Sequence, residues 1–117
     1  MNNILIVDDD IIYRDLIKKK LVQEGYGVTE AENGENALDI MRMQQGNIHL
    51  ILLDLSMPKM DGQTFFYGLR NTLHLNTPVI ILTNQSVAIY PSDLQDFIVK
   101  TDITLEELMR KIEHYFV

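Results

Sequence analysis

Three short stretches of this chain carry almost no polar side chain: Ile4–Val7, Ile48–Leu53 and Pro78–Leu82. A strand with one wet face alternates apolar and polar residues. A strand that is apolar at nearly every position is buried on both faces, which is the signature of a sheet covered by helices on both sides. Longer segments with helical periodicity separate these runs, and strands alternating with helices argue for βα units and a parallel sheet. Gly27–Ala31 is mixed in polarity and reads as an edge strand, and Phe97–Val99 supplies a fifth strand. The helical patterns run from about Ile11 to Glu24, from Glu35 to Gln45, and from Asp61-Gly62 through Leu73. In the first, Tyr13, Ile17 and Leu21 recur on one face. A last helix follows Thr104, where Thr104 and Glu107 form a capping box and Ile103 can staple onto Leu108. Gly25 and Gly46 end the first two helices. Gly68, inside the third, costs roughly 1 kcal/mol against Ala.

Two of the buried runs end in acid. Asp8 and Asp9 follow Val7, and Asp54 follows Leu53. In an open parallel sheet, ligands bind in the crevice outside the carboxyl ends of the strands. Three carboxylates at one such mouth repel one another and raise the cost of ionisation. A hard divalent cation removes that cost, and Mg²⁺ suits it because it takes one or two carboxylates, keeps waters and accepts a phosphate oxygen. Mn²⁺ is an admissible substitute. A remaining carboxylate can act as a nucleophile toward a phosphoryl group.

With 117 residues the chain makes one domain, 1–117, and buries about 65% of its unfolded surface. It has no Cys, so neither disulfides nor thiolate metal sites arise. A net charge of −7 lacks the basic footprint that nucleic acid requires. The N-terminus has no basic n-region, and its apolar run is too short for a signal peptide or a membrane span. A soluble cytoplasmic protein, with no direct contact to nucleic acid or membrane, is the expectation.

The segments LIVDDD, LLDLSMPKMDG, VIILTN and FIVK together resemble the four signatures of the response-regulator receiver domain, in the family's order and over essentially the whole chain. A single-domain, chemotaxis-regulator-like member is the nearest match in kind. The resemblance implies a flavodoxin-like (βα)5 fold, a doubly wound five-stranded parallel sheet of order 2-1-3-4-5. It implies a phosphorelay module that takes a phosphoryl group from a histidine kinase or a histidine phosphotransfer protein. Asp54 would be the phosphoacceptor. Asp8, Asp9, Asp54 and the backbone carbonyl of Ser56 would hold Mg²⁺. Lys100 would pair with the phosphoryl oxygens and Thr83 would donate its hydroxyl. Phe97 occupies the aromatic switch position, although an aromatic on a strand also serves as plain core. Ser56, Asn84 and Gln85 lie where the family tunes hydrolysis. The protein would be no turnover enzyme, beyond gaining and losing its own phosphoryl group.

The pattern departs from the family in three places, one of them Asn84, which replaces the small residue common after the hydroxyl position. Thr101 follows Lys100 where proline is usual, so a trans peptide is expected there. The segment between Thr83 and Lys100 is short by about one helical turn, which predicts a stunted or irregular fourth helix on the usual output face. Asp10 and Asp61 are expected as helix caps. His49, His74 and His114 lack ligand spacing, and the Met residues are core filler.

Two other functions compete with phosphoacceptance. A phosphorylation-independent interaction module on the same fold would dispense with some pocket residues, yet all five are present. A Mg²⁺-dependent phosphohydrolase would want a second Asp where Ser56 stands. With no effector region after Val117, output is expected through a downstream protein effector or phosphoryl relay, from a monomer or weak dimer.

Overall fold

The computed structural model describes residues 1–55, 57, 60–84 and 94–116. Five strands, β1 (Asn3–Val7), β2 (Gly27–Ala31), β3 (Leu50–Leu53), β4 (Val79–Thr83) and β5 (Asp96–Val99), form one parallel sheet of order β2-β1-β3-β4-β5. Around it pack α1 (Ile11–Gln23), α2 (Gly34–Met43), α3 (Gly62–Tyr67) and α4 (Leu105–Phe116). The Ser56 carbonyl, Gln85 and the stretch in which a shortened fourth helix is expected lie outside the described residues.

The all-apolar strands are explained by two cores, one on each face. Successive strand side chains point to opposite faces. Leu5, Val7, Ile51, Leu53, Val79 and Ile81 join Ala37 and Met41 of α2 and Phe65 and Phe66 of α3. Ile4, Ile6, Leu50, Leu52, Ile80 and Leu82 join Ile17 and Leu21 of α1 and Leu108, Met109 and Ile112 of α4. A strand shared between two cores has no position left for a polar residue. β2, at one edge, keeps only Ala31 fully buried.

Local signals set most helix ends. Asp10 caps α1, accepting from the amides of Ile12 and Tyr13 at 3.1 and 3.2 Å. Asp61 caps α3 by accepting from the Thr64 amide. Thr104 and Glu107 form the reciprocal capping box, each side chain taking the other's backbone N–H at 3.1 and 3.0 Å. Gly25, at φ +95°, turns the chain from α1 into β2.

Three boundaries differ from the sequence expectation. β3 starts at Leu50, because Ile48 is buried without joining the ladder. α2 stops at Met43, and Gly46 falls inside a 3-10 turn over Gln45–Asn47. The third helix does not run regularly to Leu73: after Tyr67 it widens into a π-turn over Gly68–Thr72, closed by the Leu73 amide on the Gly68 carbonyl. Gly68 is there for packing, since a Cβ would lie 2.9 Å from the Leu38 side chain on α2.

Candidate functional site

β1 and β3 are neighbours, with Val7 opposite Leu53. The Asp54 amide donates to the Val7 carbonyl at 2.9 Å, and the Asp8 amide to the Ala31 carbonyl at 3.1 Å. The ladder thus extends one residue past each strand and fixes both acids at the same edge. The chain winds from β1 to opposite sides of the sheet to form β2 and β3, so this edge is the topological switch point where α/β proteins bind ligands.

Asp8, Asp9 and Asp54 each place a carboxylate oxygen within 4.8 Å of the others. Asp8 and Asp54 are buried, at 3% and 7% exposure, whereas Asp9 faces solvent. An octahedral ion with ~2.1 Å bonds sets its ligand oxygens about 3–4 Å apart. The all-oxygen donor set suits Mg²⁺, and the acids lie near enough to share one such ion.

Lys100, just past the end of β5, sends its buried stem back across the sheet edge. Its Nζ donates to Asp8 Oδ2 at 2.6 Å and lies 3.8 Å from Asp54 Oδ2. The Asp10 amide donates to the other Asp8 oxygen at 2.9 Å. Burial pushes the Asp8 carboxyl above the usual carboxylate range, and the charge of Asp54 acts in the same direction. The hydrogen bonds from Lys100 and the Asp10 amide oppose that rise without cancelling it. Among the described residues three carboxylates face one ammonium, which leaves the mouth negative and attractive to a cation.

Thr83 ends β4 and is fully buried, opposite Val99 on β5. Asn84, next in the chain, is exposed. Phe97 pairs with Ile81 and packs, half-buried, against the core on the α2 and α3 side. Lys100 enters a 3-10 turn over Lys100–Asp102, and no peptide bond among the described residues is cis.

Two partners of the site are not apparent from the sequence. The Tyr13 ring, assigned above to the inward stripe of α1, lies under the Lys100 ammonium, 4.1 Å from its centroid. Arg14 donates from Nη1 to the Asp8 carbonyl at 2.6 Å and from Nε to Glu30 at 3.0 Å. Their signal is positional: both lie in the first turns of a helix that starts at the strand-end acids.

The family model of the response regulator receiver domain matches residues 4–113. The transcriptional regulatory protein SrrA of Staphylococcus aureus is 38% identical over 114 residues, covering 93% of this chain and 46% of SrrA. The transcriptional regulatory protein CpxR of Escherichia coli is 46% identical over 83 residues, covering 71% of this chain and 34% of CpxR. The chain thus spans less than half the length of these relatives. Among solved structures, the response regulator TrrA of Thermotoga maritima in complex with Mg(2+)-BeF superposes with a TM-score of 0.80 at 32% identity, covering 97% of this chain and 98% of that one. TrrA in complex with the histidine kinase ThkA superposes with a TM-score of 0.79 at 32% identity, covering 97% of each chain. The strand order, the acid trio with its lysine, and a family match across nearly every element agree: the chain belongs to the response regulator receiver domain family.

Proposed function

We propose that Asp54 accepts a phosphoryl group from a histidine kinase or a histidine phosphotransfer protein in a Mg²⁺-dependent reaction, and that the modification switches a protein-binding face. The observation that carries this reading is the Lys100 ammonium, buried and poised between Asp8 and Asp54 at 2.6 and 3.8 Å. An ordinary strand-end lysine is solvated; this one is committed to the acid pocket. The complex of TrrA with a histidine kinase supports the class of donor.

The chemistry follows from phosphoryl transfer itself. Its transition state is loose, with charge spread over three equatorial oxygens, so catalysis is mostly positioning and electrostatics. An Asp54 oxygen attacks phosphorus as the P–N bond of the donor phosphohistidine breaks. Lys100 and the Thr83 hydroxyl meet two of the equatorial oxygens. Mg²⁺, or Mn²⁺ in its place, would be held by Asp8, Asp9, Asp54 and the Ser56 carbonyl, and would supply charge neutralisation for the transferring group. Asn84 and Gln85, with Ser56, tune access of hydrolytic water.

The switch draws on the same groups. A phosphoryl group on Asp54 offers strong acceptor oxygens to the buried Thr83 hydroxyl. A shift of Thr83 toward them frees space on β4 beside Phe97, whose ring is only half-buried and can move inward. Such a local charge event biases a two-state packing arrangement.

The donor has a landing surface beside the pocket. Ile11, Ile12 and Leu16 of α1 are 66%, 79% and 50% exposed, directly after Asp9 and Asp10. Apolar side chains left in water on the rim of a reaction site suit a protein donor. Output runs through a downstream protein effector, since a net charge of −7 gives nucleic acid no footing on this domain.

Intact mass after incubation with a small phosphodonor tests the reading, with and without Mg²⁺, for wild type and Asp54→Asn. One Mg²⁺-dependent phosphoryl group on wild type and none on the variant is the expected result. A folded, Mg²⁺-binding wild type that takes no phosphoryl group from either a small donor or a phosphohistidine protein would instead make this a phosphorylation-independent interaction module.

A further inference from the structure

Lys100 must hold a flexible four-carbon stem in one arrangement to serve the pocket, and its own backbone offers little help. A trans peptide leads on to Thr101 rather than to a rigid proline. Two carboxylates hold the ammonium. The face of Tyr13 also lies against it, the ring centroid 4.1 Å from Nζ. A cation this close to an aromatic face is attracted by the ring quadrupole, more strongly when water is excluded. Here the lysine side chain is only 5% exposed.

The ring is itself fixed. The Tyr13 amide is bonded to the Asp10 cap at 3.2 Å. Arg14, the next residue, ties the same helical turn to the Asp8 carbonyl and to Glu30 on β2. Burial, with the charges of Asp8 and Asp54 adding to it, pushes the Tyr13 phenol up to about 12. A phenol is neutral at physiological pH even at its ordinary value of about 10, so the ring brings no competing charge.

We propose that Tyr13 is a positioning residue of the phosphoacceptor pocket, whose ring holds the Lys100 ammonium over the gap between Asp8 and Asp54. The proposal rests on the assignment of Asp54 as acceptor. It gives Tyr13 no part in bond making. As the phosphoryl group arrives, Lys100 exchanges Asp8 for a phosphoryl oxygen, and the ring limits how far the ammonium can stray during that exchange.

The test compares Tyr13→Leu and Tyr13→Phe, each alone and on a Lys100→Met background, by the rate of phosphorylation with acetyl phosphate at saturating Mg²⁺. Tyr13→Leu should slow the reaction about fivefold, and Tyr13→Phe, which keeps the ring, should stay within about twofold of wild type. On the Lys100→Met background the Leu substitution should have no further effect, because two residues that act through one contact are not additive. Lysine-selective NMR gives a readout independent of activity. The Lys100 ε-methylene should be shifted upfield by the ring in wild type and Tyr13→Phe, and released in Tyr13→Leu. Should the Leu variant not fold, Tyr13→Met carries the same comparison. A wild-type rate in Tyr13→Leu, or an undiminished loss on the Lys100→Met background, would overturn the proposal, the latter by making Tyr13 a packing residue of α1. A wild type that takes no phosphoryl group would instead overturn the assignment of Asp54, and this proposal with it.

Discussion

Gly62 sits against the strand end that carries Asp54. A Cβ built on it would overlap the Asp54 carbonyl oxygen and lie 2.7 Å from Leu55 Cα, both of them backbone atoms that cannot rotate away. The Gly62 amide also donates to the Leu55 carbonyl at 3.0 Å. The start of α3 therefore closes directly over the end of β3, with no room for a side chain between them.

Gly62→Ala should accordingly cost about 2 kcal/mol of stability, within the range for overpacked sites. Urea unfolding measures this. Gly46→Ala is the control, since nothing lies within 4 Å of the added methyl. Equal midpoints for the two variants would mean that the α3 start yields easily.

Lys100→Met takes from the buried Asp8 its ion-pair partner among the described residues. Without Mg²⁺, removing one partner of a buried pair should lower stability by about 3 kcal/mol at neutral pH. The same substitution takes a competing cation off Asp8 Oδ2, so Mg²⁺ should bind about tenfold more tightly. Calorimetric titration and thermal unfolding with and without Mg²⁺ read both effects. Unchanged or weaker Mg²⁺ binding would show that the lysine and the metal do not contend for Asp8.

Glu30 on β2 accepts from both Lys18 and Arg14 at 3.0 Å. Burial raises its carboxyl, but those two hydrogen bonds and charges outweigh it and hold the group below its ordinary value of 4.5. A depressed acid stabilises the fold above its unfolded value and loses that contribution as pH falls through the folded one. Wild type should exceed Glu30→Gln by about 0.5–1 kcal/mol at pH 7, the range for partly exposed pairs. The gap should close as acid is added below pH 4.5. A gap that persists in strong acid would point to packing rather than charge. Denaturant curves at a series of pH values distinguish the two.

Ile12→Asp should separate the two kinds of donor. Ile12 is 79% exposed on α1, so phosphorylation by a small donor should stay near wild type. Transfer from a phosphohistidine protein should fall about tenfold, the loss of one well-buried apolar contact at an interface. Equal rates from the protein donor in wild type and variant would place its docking elsewhere.

The parts of this molecule that could be read from the chain are those whose partners are close in sequence or whose environment is uniform. The Thr104–Glu107 box involves residues three apart, and it forms as expected. Ile4–Val7 and Val79–Leu82 face a core whichever way each side chain points, so their polarity alone revealed them. Ile48 misled for the same reason: apolar character reports burial, and burial does not require a place in the ladder. The close approach of Gly68 to Leu38, thirty positions earlier on another helix, is a tertiary contact, and no local pattern carries that information.

At the site, the acids were legible because two buried strands ended in them. The placement of Lys100 came only from family resemblance, since a lone lysine after an apolar run is usually solvated. Tyr13 stood in a helical stripe with Ile17 and Leu21, and its four-residue spacing from Ile17 said core. What spacing cannot show is that the first turn of a helix starting at the site overhangs the site itself.

The contact between Lys100 and Asp8 joins residues 92 apart. The acids leave the ribosome before β4 and β5, and the ammonium follows only after both. A nascent chain that has not yet released β5 therefore carries the acid trio without the ammonium that closes on it. The meeting of acid and ammonium is thereby a report that every strand of the sheet, down to the last one added, is in place.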